Sequence, residues 1–177
     1  MVDGGKSRII LAALVTPTAR DGKPTDARVR VFHVRFRWKL WPRQITGDTT
    51  YGTTDNIVVV EDQHMRAYVP LPDFDKRTSV YGKQAFRYDP ERDVYVCPNN
   101  AILPLRTHAY NEREKRYQGD AATCNACPLK AHCTTSDQGR VLKRSFDEEY
   151  PEQVRAYHAT GPYQKAMRKR SVWIEAL

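Results

Sequence analysis

Apolar residues run unbroken from Ile9 to Val15 within SRIILAALVT (7–16), and such a run predicts a buried strand. The polar stretch PTARDGKPTDA (17–27) holds two prolines and a glycine and predicts a loop. In RVRVFHVRFRWKLWPR (28–43), Phe32, Val34, Phe36, Trp38 and Leu40 alternate with His33, Arg35, Arg37 and Lys39. That alternation by itself predicts a strand. RQITGD (43–48) predicts a short strand ending at Asp48. DNIVVVEDQHM (55–65) predicts a helix opened by Thr54 or Asp55 as cap, and RAYVPLP (66–72) a strand stopped by its prolines.

From about residue 73 the character changes. FRYDPERDVYVCP (86–98) predicts a hairpin, with YDPERD supplying turn residues between aromatic-rich arms. Short strands are expected at 101–107 and 140–144, with a cysteine cluster between them. Ser145-Phe146-Asp147-Glu148 has the capping-box spacing and predicts a helix start. Gly161-Pro162 breaks that helix, and YQKAMRKRSVWIEAL (163–177) forms a second, with Pro162 in the tolerated first turn. The expected organisation is therefore 1–72, a small metal-organised piece at 73–144, and a helical segment at 145–177.

Charge narrows the partners. The 177 residues carry 29 Lys and Arg against 21 Asp and Glu, a net +8 with pI near 9.4. That balance favours a polyanion such as nucleic acid, against the plainer reading of a solvated basic surface. The run from Ile9 to Val15 is far too short to span a bilayer, so no membrane partner is expected. Lys6 and Arg8 precede the run as in a secretory signal, but Asp3 stands ahead of it and no small-x-small cleavage site follows. The expected compartment is the cytoplasm, where thiols stay reduced and four cysteines point to metal before disulfide.

Those cysteines are Cys97, Cys124, Cys127 and Cys133, the last three inside CNACPLKAHC (124–133). Two cysteines separated by two residues can turn back on one ion, which is the usual half of a structural zinc site. With Cys133 and Cys97 they make a closed four-thiolate set for Zn²⁺, able to stabilise a piece too small to own a core. His132 is a possible substitute for one thiolate. An iron–sulfur cluster, as in some repair glycosylases and nucleases, and four unrelated thiols are the competing readings.

Asp48 in GDTTYGT (47–53) sits at the C-terminal edge of a predicted strand, where α/β sheets usually place chemistry, although a turn or capping role would equally suit it. Glu175 lies on the last helix behind Lys165, Arg168, Lys169 and Arg170. The order GDTTYGTTDNI, RAYVPLPDF, YDPERDVYVCP, CNACPLKAHC and RAYHATGPYQKAMRKRSVWIEAL resembles bacterial insertion-sequence transposases of the DDE type, in the branch with a cysteine-rich insertion before the last acid. The resemblance implies an α/β, RNase-H-like mixed sheet with flanking helices, interrupted by a small β-rich zinc-binding insertion. It implies three acidic residues holding Mg²⁺ or Mn²⁺, with DNA strand cleavage and transfer at element ends, and a homodimer on those ends is the expected assembly. Carboxylates suit such hard, oxygen-seeking ions.

By the resemblance Asp48 matches the second Asp and Glu175 the terminal Glu. VDGGKSRIILAALVTP resembles the segment just after the strand that carries the first Asp, which leaves Asp3 as a weak stand-in. Ala176 replaces the usual proline after the Glu, and the family's further helix and N-terminal DNA-binding region are not seen, so a truncated copy is expected, its activity left open. The resemblance also makes residues 25–40 a helix, against their alternation, and the helix is the reading adopted.

Other signals change the picture less. GGKS (4–7) lacks the upstream glycine and the following helix of a phosphate loop. RVRVFHVRFRWKLWPR interleaves six basic residues with four aromatics and could track a phosphate backbone, but its rings are expected in the core. The cluster Lys165, Arg168, Lys169 and Arg170 could hold DNA phosphates, or form a solvated helix face. The alternatives to a transposase are a non-catalytic zinc-containing DNA-binding module and an iron–sulfur nuclease or repair protein.

Overall fold

The computed structural model describes residues 2–3, 10–12, 31–73, 75 and 78–174, and of residues 2–3, 10–12, 33 and 172–174 the backbone alone. The chain is mixed α/β and separates into two compact units, Met1–Pro72 with Asp147–Leu177, and Asp73–Phe146.

In the first unit, β1 (Val2–Asp3) and β2 (Ile10–Ala12) form an antiparallel ladder of their own. A second pair, β3 (Gln44–Thr46) and β4 (Arg66–Tyr68), is parallel, with Ile45 opposite Ala67. Parallel neighbours need a crossover, and α1 (Thr54–Glu61) supplies it. Its cap is Thr53, one residue ahead of the expected Thr54 and two ahead of Asp55, with Oγ1 accepting from the Asn56 amide at 3.4 Å. α1 also stops at Glu61, because His64 adopts a left-handed φ of 58° and turns the chain back into β4. Ile57 and Val60 on α1 pack with Val31, Met65, Ala67, Val69 and Val154, so this core gathers the crossover helix, the parallel strand pair and the helix that carries Val154.

Residues 31–37 are helical, His33–Arg37 as one wide π-type turn, which agrees with the topological reading and not with the alternation. The buried pair is Val31 and Val34, spaced as helix neighbours. The expectation of core aromatics is overturned: Phe32, Phe36, Trp38 and Trp41 are all exposed. Two helices close the unit, α4 (Glu149–Tyr157) and α5 (Gly161–Ile174). The capping-box expectation at Ser145 fails, since Ser145 ends a strand and α4 begins at Glu149.

The second unit is a five-stranded antiparallel meander: β5 (Arg87–Asp89), β6 (Val94–Val96), β7 (Ile102–Ala109), β8 (Glu114–Gln118) and β9 (Val141–Ser145). A bulge between Leu105 and Thr107 divides β7, whose first part pairs with β6 and second with β8. β8, sequence EKRYQ, is a strand that the pattern did not suggest. Tyr117 is its one buried residue, completing a core with Phe86, Tyr95, Leu103 and Leu142. Between β8 and β9 lie two short helices, α2 (Ala121–Asn125) and α3 (Lys130–Cys133).

Candidate active site and cysteine cluster

Asp48 leaves the C-terminal end of β3. The ladder continues one residue past the strand, with the Gly47 amide donating to the Tyr68 carbonyl at 3.3 Å. Asp48 then caps the short turn Thr49–Tyr51, its Oδ1 accepting from the Thr50 amide at 2.9 Å. The capping role weighed from sequence is therefore real, but it engages one oxygen. Oδ2 faces Arg170 Nη2 at 3.9 Å, with the Asp48 side chain 49% exposed and Arg170 17% exposed. A half-exposed carboxylate with such a long ion pair keeps lone pairs available for a hard cation.

Arg170 reaches that position because α5 packs along β3 and β4. The buried Ala166 gives little bulk at the contact, and Tyr163 and Tyr157 meet Tyr68 edge-on, each at 5.7 Å between centroids. His158 brings Nε2 to 3.0 Å from the Val69 carbonyl. Lys165, Arg168 and Lys169 are exposed on α5, so the structure divides the four-residue basic cluster and turns Arg170 toward Asp48. Asp3 belongs to the separate β1–β2 ladder and its side chain is outside the description. Glu175, as also GGKS, lies outside the described residues, α5 being described to Ile174.

In the second unit, Cys97, Cys124, Cys127 and Cys133 all line one cavity of about 350 Å³. Each arrives by a different local device. Cys97 follows β6 in a tight turn, its amide donating to the Ala101 carbonyl at 2.9 Å, with Asn100 at φ 59°. The Ala101 amide donates in return to Cys97 Sγ at 3.2 Å. Cys124 rides on α2, capped by Asp120, whose Oδ2 accepts from the Thr123 amide and hydroxyl at 2.8 Å each. The backbone bond from Thr123 leads the interactions that hold the Asp120 carboxyl below its ordinary value. Cys127 receives an Asn99 Nδ2 contact at 3.5 Å, and Cys133 ends α3. The His132 ring leans toward Tyr81 and does not line the cavity.

Sequence reading passed over Arg140, which nothing in DQGR flags. Its guanidinium donates to the Cys133 carbonyl at 2.9 Å and the Tyr81 carbonyl at 2.7 Å. Burial pushes the Cys133 thiol up, Arg140 pulls it down, and the other three cysteines raise it further. All four sulfurs are free and feel one another electrostatically. Among the described residues, however, no three Cys, His, Asp or Glu side chains are gathered closely enough to hold a metal ion. Nor is any described helix long and apolar enough to cross a membrane.

Comparison with known proteins adds one finding. Residues 96–177 match the family described as a transposase DDE domain. Searches of curated proteins and of solved structures gave no match. The matched span contains all four cysteines and the whole of α5, while Asp48 and Asp3 precede it. Over residues 96–177 the chain is thus similar to DDE transposases, and that match supports the insertion-sequence type.

Proposed function

We propose that the chain is an RNase-H-like transposase core carrying out metal-dependent cleavage and transfer of DNA strands at insertion-element ends. Asp48 and Glu175 are its metal ligands, with Asp3 the candidate third. The observation that carries the reading is the meeting of Asp48, at the carboxyl end of a parallel strand pair, with the helix that leads to Glu175. Such an edge is where α/β sheets assemble sites from different chain segments. When bound, Mg²⁺ supplies activation of the attacking oxygen and charge stabilisation of the leaving one.

The residues of the chain then have distinct tasks. Asp48 holds one oxygen fixed by the Thr50 amide and offers the other to the ion. Arg170 balances that negative charge at 3.9 Å when no cation is present. Lys165, Arg168 and Lys169, exposed along the same helix, give a basic face for DNA phosphates.

The same proposal gives the second unit a structural Zn²⁺ held by Cys97, Cys124, Cys127 and Cys133. Its support is the donor chemistry: four free thiols on one cavity, an amide donating to Cys97 Sγ, and a guanidinium beside Cys133. Soft thiolates suit zinc, and a bound ion would be held by these four cysteines and would tie their chain segments together.

Nicking of a supercoiled plasmid in Mn²⁺, wild type beside Asp48→Asn, tests the catalytic reading. Nicking by the wild type and none by the variant is the expected result. Equal nicking by both, or none by a folded wild type, overturns it and leaves the non-catalytic DNA-binding module.

A further inference from the structure

The rings expected in the core and found outside it form a surface that the transposition chemistry does not use. Phe32 and Phe36 stack at 4.6 Å between centroids and are 59% and 56% exposed. Trp38 and Trp41 follow at 47% and 67%. The Arg35 guanidinium lies 4.0 Å over the Trp41 ring and also donates to Gln63, which fixes the ring beside α1. Exposure on this scale costs free energy in water, and four large exposed rings within ten residues of sequence mark a site of contact.

The charge around the rings selects the partner. Between Asp26 and Asp48 the sequence has six Lys and Arg and no carboxylate. Arg37, Lys39 and Arg43 are exposed, and among the described residues no carboxylate pairs with any of them. A protein partner would have to bring its own acids to such a patch. A single DNA strand brings both complements, flat bases for the rings and phosphates for the cations.

We infer that Phe32, Phe36, Trp38 and Trp41, with Arg37, Lys39 and Arg43, form a stacking platform for unpaired DNA. Arg43 leads directly into β3, and the five residues from there to Asp48 span at most about 17 Å. An unpaired strand on this platform therefore lies within a few nucleotides of the proposed metal site. The proximity to a cleavage site rests on the transposase reading; the binding itself does not.

The test uses the full chain in EDTA, which removes any dependence on metal chemistry. Anisotropy of a fluorescein-labelled oligothymidine of about 20 nucleotides is compared with that of a duplex of equal length. The expected result is preferential binding of the single strand with quenching of tryptophan fluorescence. Trp38→Ala/Trp41→Ala, folded by circular dichroism, weakens it at least about fivefold, the low end of loss of one base stack. Arg37→Gln/Lys39→Gln lowers the salt dependence instead, by roughly one to two phosphate contacts. Unchanged affinity in the tryptophan variant, or duplex preference without quenching, overturns the platform. So does a concentration-dependent dimer that the variant dissolves while oligothymidine binding persists, which makes the patch a contact between copies. Asp48→Asn separates the two ideas, since it is expected to abolish nicking and leave oligothymidine affinity unaltered.

Discussion

Replacing Asp93 with Asn probes how the second unit holds Cys97 in place. Asp93 closes the β5–β6 hairpin in a left-handed conformation, φ 49°. Its Oδ1 accepts from Tyr117 at 2.5 Å and Tyr88 at 2.6 Å, and Oδ2 pairs with Lys115 at 2.8 Å. Burial raises its pKa, but the bonds from Lys115, Tyr117 and Tyr88 outweigh burial and take it from 3.8 to about 2. At 1.36 kcal/mol per pH unit that difference converts to roughly 2.5 kcal/mol. The side chain is 34% exposed, so water screening reduces the figure to about 1–1.5 kcal/mol. The folded value is the lower one. The stabilisation is therefore complete above pH 4 and lost progressively from about pH 4 to pH 2.

Asn keeps the left-handed backbone accessible, removes the charge and turns one acceptor oxygen into an NH2 donor. Hydrogen exchange of the β6 and β7 amides reads this unit specifically, because all three tryptophans lie in the other. The variant should lose about 1–1.5 kcal/mol of protection at neutral pH. It should also lack most of the wild type's decline between pH 4 and 2. An acid profile identical to wild type would refute the assignment of that decline to Asp93. Cys97 directly follows β6, so the same variant should release zinc faster from the proposed centre.

The other predictions are simpler. Cys127→Ser should lower bound zinc, measured by a colorimetric chelator, from about one per chain to a small fraction. Iron with absorbance near 400 nm would instead support the iron–sulfur alternative. Gly139 has φ +87° and a Cβ there would stand 2.3 Å from the Gly119 carbonyl oxygen, so Gly139→Ala should cost at least about 2 kcal/mol in urea unfolding. Ile57 is fully buried, and Ile57→Ala should cost about 2–5 kcal/mol by the same measure. Asp48→Asn should change stability by less than about 0.5 kcal/mol, since its ion pair is long and half exposed. A larger loss would make Asp48 a structural residue.

Local chemistry by itself determined several features. The turn residues of YDPERD placed the β5–β6 hairpin, because Pro and Asp favour turn geometry wherever they sit. Gly161-Pro162 marked the start of the last helix for the same reason. Cysteine spacing singled out the four thiols that line one cavity, and the strand–turn–helix pattern put Asp48 at a strand's end.

What was settled only by packing involved distant partners. Strand β8 carries four polar residues and exists because Tyr117 completes a core supplied by β6, β7 and β9. Ser145 pairs opposite Glu114 in the ladder, a competition that its capping-box spacing could not foresee. Arg140 became a tie only when the fold carried Tyr81 to it, and Arg170 a neighbour of Asp48 only when α5 packed on β3. In the segment from Val31 to Trp41 the buried valines, spaced for a helix, fixed the backbone and left the rings in water. Alternation counts apolar residues, whereas folding buries only those that a neighbouring surface can cover.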